Sequence, residues 1–299
     1  MENTEDETYF YTSSKREKNK RQKFPSLLED EQMNSSEIMY SIVIPAYNEE
    51  DRMRTCLDEI LEFFESKRKQ GVQNTNFEII VCNDGSKDKT SQIALEYTDK
   101  IGHDVNGLRL LELSKNRGKG GAVRKGVLAS RGEYILMCDA DGATKFSEIE
   151  KLITCMVSNT LNGKFGRCVV GSRHHLAEDS IAKRTFFRTI LMKGFHFFVK
   201  YIGNVHSIHD TQCGFKLFNK TAAKFLFSNL HIERWAFDVE LLYTCEEHGI
   251  GLGEVLVQWE EIDGSKLTPL TAAVQMARDL LYLRLYYIFG VYKFCYKYV

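Results

Sequence analysis

The chain has no Cys-x-x-Cys pair, no run of eighteen apolar residues and almost no net charge. Each absence removes a class of function. Its eight cysteines (Cys56, Cys82, Cys138, Cys155, Cys168, Cys213, Cys245 and Cys295) are scattered, several of them inside apolar runs. They read as buried free thiols in a reducing compartment, not as a zinc site or a disulfide framework. No signal peptide is visible, and the longest uncharged aromatic stretch, residues 285–292, is too short to cross a bilayer. Any membrane role is therefore expected at the surface. A formal net charge of -1 gives no global attraction to nucleic acid, so no nucleic-acid partner is expected. The P-loop pattern is not met, and no Gly-x-Gly-x-x-Gly follows the first strand, which disfavours a dinucleotide dehydrogenase. No internal repeat is visible.

What is present is a globular composition, 43% hydrophobic and 27% charged, in a 299-residue chain long enough for one large domain. Residues 1–38 open acidic and turn basic without apolar periodicity, and are expected to form a polar, disordered tail. From residue 39 the pattern alternates. MYSIVIPA, FEIIVCNDGS, LRLLELS, EYILMCDADG and RCVVGSR read as strands, separated by segments of helical period. This predicts an α/β fold with a mostly parallel central sheet flanked by helices. The catalytic domain is assigned to residues 39–265. Within it, residues 180–203 are rich in Phe with interspersed Lys and Arg and are expected to form an interfacial helix region. Residues 266–299 combine Tyr with Arg278, Arg284, Lys293 and Lys297 and are expected to form an amphipathic, membrane-associated segment. Packing into the core or a dimer interface is the alternative for both segments.

In open α/β sheets ligands bind beyond the carboxyl ends of the strands. Five polar clusters fall there: Pro45, Tyr47, Asn48 and Glu49; Asn83, Asp84, Gly85 and Ser86; residues 116–121; Asp139 and Asp141; and Gly171, Ser172 and Arg173. Turns favour such residues, so one cluster would mean little, but five on one rim suggest a site. The glycine-rich loop 116–121 lies in a stretch, residues 113–132, with six bases and no acid, which suits a phosphate-bearing ligand at a helix N-terminus. Asp139 and Asp141, read as sharing one face of an extended segment, repel unless a cation or a proton lies between them. Hard oxygen ligands beside phosphates point to Mg²⁺ or Mn²⁺. A turn with a helix-capping Asp is the plainer alternative.

Taken together, SIVIPAYNEE, VCNDGSKDKT, NRGKGGAVRKG and DADGATKF resemble the family 2 glycosyltransferases of GT-A (Rossmann-like) fold. GSRHH, DTQCGFKLF, RWAFDVELL and EEIDGSKLTP narrow the resemblance to the dolichyl-phosphate glucosyltransferases, which act at the cytosolic face of the endoplasmic reticulum. The resemblance covers about residues 39 to 299. It implies transfer of glucose from UDP-glucose to dolichyl phosphate, with inversion, for protein N-glycosylation. The implied nucleotide-sugar residues are Pro45, Tyr47, Asn48, Glu49, Asp84, Ser86, Lys119, Asp139, Ala140 and Gln212. Asp139 and Asp141 would hold the metal, and Arg173, Arg184 and Arg188 the acceptor phosphate. Asp141, Arg173 and Asp238 are the implied catalytic residues. Asp238 is implied as a base, although an ionised phosphate acceptor needs none, so it is expected to orient sugar or Arg173, or simply to open its helix. His174 and His175 are expected near the acceptor, Trp235 and Trp259 in the core or an interface, and a second copy of the chain, in a homo-oligomer, is counted among the expected partners.

Two departures stand out. Related mannosyl enzymes carry Gln where this chain has Ala143. Animal and fungal relatives open with a membrane-spanning helix and this sequence with a polar tail, so membrane attachment is expected to rest either on the C-terminal segments and a partner or on an anchor outside this sequence. The alternatives are mannose transfer from GDP-mannose, transfer to another polyprenyl phosphate, and a nucleotide-sugar-binding regulator without turnover.

Overall fold

The unbroken apolar strands are explained by burial on both faces of one sheet. The computed structural model describes residues 9–12, 21–28, 38–158, 161–174, 203–260, 262 and 269–296. β3 (Tyr40–Ala46), β4 (Phe77–Asn83), β5 (Gly107–Glu112) and β6 (Tyr134–Cys138) run parallel in the order β5-β4-β3-β6. Helices α1 (Met53–Lys69), α2 (Thr90–Ile101) and α3 (Lys119–Leu128) make the crossovers. The sheet continues from β6 through β8 (Phe215–Asn219), β7 (Arg167–Ser172) and β9 (Gly251–Leu256). β8 is antiparallel to both neighbours, while β7 and β9 are parallel to each other. The mostly parallel sheet is thus as expected, with β8 as a strand that periodicity did not single out. Its register sets Phe215 opposite Cys138, so Gly214 falls beside the point where β6 releases Asp139.

The core has two layers. Met53, Leu57, Ile60 and Phe64 of α1, Ile93 and Leu95 of α2, and Leu152 of α4 (Ile149–Val157) cover one face of the sheet. The other face is covered by α3, by α5 (Lys220–Ser228) and α6 (Phe237–His248), and by Leu280 and Leu283 of α7 (Pro269–Ile288). Six cysteines are buried as free thiols, Cys155 is half-buried and Cys295 is exposed, in keeping with a chain that uses them as small apolar groups.

One expectation changes. Within the supposed tail, β1 (Tyr9–Tyr11) and β2 (Arg21–Lys23) pair antiparallel, and Phe10, Phe24 and Leu27 are buried. The cause is non-local. The Phe10 and Phe24 rings cover the guanidinium of Arg109 at 5.4 and 5.1 Å, and Leu27 N–H donates to the Leu128 carbonyl at 2.8 Å. At the other end, α7 has two faces. Met276, Leu280 and Leu283 are buried, whereas Leu281, Tyr282, Leu285, Ile288, Phe289 and Val291 stay exposed. Among the described residues no helix is long and apolar enough to cross a membrane. Most of the 180–203 region lies outside the described residues.

Candidate active site

The rim loops after β3 and β4 are stitched together through backbone amides. Asn48 adopts a left-handed φ of 56°, its N–H donates to Ser86 Oγ at 2.8 Å, and its Oδ1 accepts from Lys87 N–H at 2.8 Å. Glu49 N–H donates to Thr90 Oγ1 at 2.7 Å, and the Glu49 carboxylate takes both prongs of Arg52 at 2.7 Å. Glu49 is therefore already balanced by a cation of its own helix entry. Pro45 is half-buried at the end of β3, and Tyr47 is 40% exposed on the rim. Asp84 is only 4% exposed. It accepts from Arg117 N–H at 2.6 Å and Gly118 N–H at 2.8 Å. Burial pushes its carboxyl above the ordinary range, and the two amides offset part of that. In this arrangement Asp84 is the clamp that shapes the glycine-rich loop.

That loop is held from behind by the chain leading into α6. Gly118 has φ +84°, and a Cβ there would sit 2.8 Å from the Glu233 carbonyl oxygen. A Cβ on Gly120 would sit 2.6 Å from Phe237 Cβ. Gly121 N–H donates to the Glu233 carbonyl at 2.8 Å. The glycines thus permit close backbone approach, and α3 opens with Lys119 aimed across the rim. Lys119 Nζ meets both oxygens of Asp139, at 2.6 and 2.9 Å, with the Trp235 ring face 5.8 Å away. Burial alone would lower the Lys119 pKa, but Asp139, Asp238 and Asp141 outweigh it and hold the ammonium charged.

β6 ends at Cys138, so Asp139 and Asp141 do not share the face of an extended strand. The chain turns at Ala140 and Asp141, and Gly142 has φ +71°. Each carboxylate has its own partner: Asp139 binds Lys119, and Asp141 Oδ1 accepts from Ala143 N–H at 3.0 Å. Ala140, expected at the nucleotide sugar, has its side chain buried in the core, so only its backbone is available there. Gly214 is the floor beneath Asp139, since a Cβ on it would lie 1.9 Å from Asp139 Oδ2. Glu260 N–H donates to the Ala143 carbonyl at 2.9 Å, and Trp259 bridges to Thr144, so the segment after β9 braces this turn.

Arg173, at the end of β7, is held by Asp210 through its backbone N–H (2.9 Å), Nε (2.7 Å) and Nη2 (2.9 Å). Its guanidinium lies 5.4 Å from the Trp259 ring centre. Burial opposes the Asp210 charge, but Arg173 holds its carboxyl below the ordinary range. Arg173 is close enough to Asp139 for that charge to act on it. Gln212 N–H donates to Asp210 Oδ1 at 3.3 Å, and its side-chain amide reaches Met276 Sδ of α7 at 3.6 Å. Asp238, expected as a base, is 3% exposed and bonded to the fully buried Lys216 at 2.6 Å, which also donates to the Cys213 carbonyl at 2.7 Å. Burial raises its carboxyl pKa against the pull of Lys216 and Lys119. A carboxylate so placed supports the charges above it and does not face a substrate as a free base.

The His174 ring lies 5.0 Å from that of His209, which is itself bonded to Glu254 at 2.9 Å. Arg184, Arg188 and His175 lie outside the described residues. Sequence reasoning missed Asp210, Gly214 and Lys216, all within the quoted DTQCGFKLF, and it set both tryptophans apart from the two cations they cover. Among the described residues, no three His, Cys, Asp or Glu side chains gather as a closed metal cage. Asp139 and Asp141 nonetheless fit Mg²⁺ or Mn²⁺, which typically bind one or two carboxylates and complete their shell with phosphate oxygens and water.

Residues 41–227 match the glycosyl transferase family 2 profile. The dolichyl-phosphate beta-glucosyltransferase of Drosophila melanogaster is 50% identical over 270 residues, 90% of this chain and 80% of that protein. The Homo sapiens enzyme of the same name is 50% identical over 255 residues, 85% and 77% of the two chains. The Saccharomyces cerevisiae enzyme is 40% identical over 271 residues, 88% and 79%. Among solved structures, glucosyl-3-phosphoglycerate synthase from Mycobacterium tuberculosis, in complex with Mn²⁺ and uridine-diphosphate-glucose, superposes with a TM-score of 0.55. It is 17% identical and covers 83% of this chain and 79% of its own, a likeness of fold.

Proposed function

The chain belongs to the dolichyl-phosphate β-glucosyltransferases of glycosyl transferase family 2, and from that premise we propose that it takes glucose from UDP-glucose and inverts the anomeric centre. The observation that carries this reading is the meeting of Lys119, Asp139 and Asp141 at the mouth of the glycine-rich loop, with Arg173 close by. An oxygen of the acceptor phosphate attacks the anomeric carbon from the side opposite UDP. The C1–O bond to UDP breaks, and its electron pair leaves with the diphosphate. A phosphate monoester, with a second pKa of about 6, is largely ionised at neutral pH and needs no base. That agrees with the burial of Asp238 beside Lys216.

Arg173 is aimed by Asp210 and Trp259, and its Nη1 hydrogens take no part in the Asp210 pair, which suits the acceptor phosphate. Lys119 stabilises charge that develops on the leaving diphosphate. Mg²⁺ or Mn²⁺ on Asp139 and Asp141 would neutralise that same charge. The exposed face of α7 and the turn after it combines Leu281, Leu285, Ile288 and Phe289 with Arg278 and Lys293, which suits a membrane surface carrying a lipid acceptor. The proposed location is the cytosolic face of the endoplasmic reticulum membrane.

The test offers UDP-glucose and GDP-mannose separately, with short-chain dolichyl phosphate and Mg²⁺ or Mn²⁺. A glucolipid from UDP-glucose alone is expected. A mannolipid instead, or no product from either donor, overturns the proposal.

A further inference from the structure

Residues 287–295 are tied into the back of the glycine-rich loop. Glu240, on α6, is fully buried. Its carboxylate accepts from His231 N–H at 3.0 and 3.1 Å, from Ile232 N–H at 2.7 Å and from the Tyr287 hydroxyl at 3.2 Å, and it meets His231 Nδ1 at 2.9 Å. The His231 ring stacks on Tyr292 with centroids 3.8 Å apart and planes 11° apart. Asn229 closes a two-way amide clamp on Cys295, donating to its carbonyl at 3.1 Å and accepting from its N–H at 2.6 Å. Segment 229–236 is therefore gripped by Tyr287, Tyr292 and Cys295 from one side.

Its other side is the wall against which residues 118–121 are pressed. The Glu233 carbonyl accepts from Gly121 N–H and fills the space a Gly118 side chain would need. The Ile232 carbonyl does the same for Gly120, at 2.8 Å from a Cβ there. Trp235 carries the Lys119 ammonium over its ring. A carboxylate with five bonded contacts and no solvent has little freedom, so Glu240 fixes the C-terminal aromatic segment and the loop wall as one unit.

We infer that Glu240 and Tyr287 are positioning residues for the donor: they set the glycine-rich loop, and through it Lys119, by locking the C-terminal segment onto residues 229–236. The inference rests on the reading that Lys119 and its loop receive the donor diphosphate. It requires nothing of the acceptor site, where Arg173 is held by separate groups.

The test uses the full chain and compares wild type with Tyr287→Phe, which removes one hydroxyl, and Tyr292→Leu, which removes the stack on His231. The expected result is a rise of about three- to tenfold in KM for UDP-glucose. KM for dolichyl phosphate should stay within about twofold of wild type, while kcat falls along with the rise in donor KM because Lys119 also stabilises the leaving diphosphate. A merely structural role would lower the melting temperature and leave the donor KM alone. That outcome, unchanged kinetics, or a rise shared equally by both substrates overturns the inference. Should Tyr292→Leu fail to fold, Tyr287→Phe decides. Failure of the functional reading is separate, because wild type itself would then not turn over UDP-glucose.

Discussion

Gly214→Ala probes the floor under Asp139 with a single methyl group. Gly214 does not have a left-handed φ, so the backbone accepts alanine and the effect is steric. The added Cβ would lie 1.9 Å from Asp139 Oδ2, 2.3 Å from Cγ and 2.8 Å from Oδ1. Ordinary contact begins at 3.4 Å, so the carboxylate must retreat by roughly 1.5 Å. It cannot do so and keep both oxygens on Lys119 Nζ, now at 2.6 and 2.9 Å. A misplacement of about 1 Å in a reacting geometry costs about 10²-fold in rate, or about 2.7 kcal/mol. The assay is glucosyl transfer to short-chain dolichyl phosphate, with thermal unfolding measured alongside. A loss of about 10²-fold in kcat/KM is expected with a melting temperature within about 4 °C of wild type. If Gly214→Ala keeps its activity within about threefold, the placement of Asp139 against Gly214 does not matter to the reaction and the reasoning fails.

Three further substitutions test separate parts of the structure. Lys216→Met strands Asp238 in the core and should cost about 3–5 kcal/mol in denaturant unfolding; a loss under 1 kcal/mol would mean the pair is not buried as described. Burial would raise the Glu78 pKa, but Arg109, Arg131 and Ser41 overcome it and hold the carboxyl below its ordinary range. The resulting stability is complete above the unfolded value of about 4.3 and is lost as pH falls through the lower folded value. Glu78→Gln should therefore lower stability at neutral pH by about 3–5 kcal/mol, and the gap to wild type should narrow in acid unfolding experiments; a gap independent of pH would refute it. Trp259→Ala frees the Arg173 guanidinium and should raise KM for dolichyl phosphate about tenfold while leaving the UDP-glucose KM unchanged; an effect confined to the donor would point to the Thr144 bridge instead.

The parallel half of the sheet was legible because its strands are buried on both faces and read as continuous apolar runs. β8 was not, because FKLFN is short and a lysine interrupts it, and nothing local shows that Lys216 is neutralised by Asp238 twenty-two residues away. The N-terminal strands were hidden for a similar reason. Phe10 and Phe24 gain their place from Arg109, and a cation–π contact across so many residues leaves no periodicity in the tail. At the site, the five loop clusters were visible as residue types, and the structure does set them around one rim. Their pairings were not visible. Asp84 is occupied by loop amides and Glu49 by Arg52, while the turn at Ala140 separates two carboxylates that an extended reading had set side by side.

These pairings also decide how a diphosphate could enter. Asp139 and Asp141 bring two acidic groups, and among the described residues only Asp139 of the two is paired with a cation, Lys119. The proposed donor brings about two more negative charges. Like charges 4 Å apart near a protein surface repel by about 4 kcal/mol, so the donor would meet a net repulsion. If Lys119 swings from Asp139 to the phosphate, the repulsion moves without being removed, because Asp139 is then left bare. Asp139 and Asp141 would hold a divalent cation whose charge would offset both repulsions and leave Lys119 to the phosphate. Turnover should therefore disappear on chelation and return with Mg²⁺ or Mn²⁺. In Lys119→Met the metal requirement should become stricter, with half-maximal activity needing severalfold more cation, because the donor then binds more weakly beside the same two acids. Full activity in excess chelator would show that Lys119 alone carries the charge, and would remove the metal from this account.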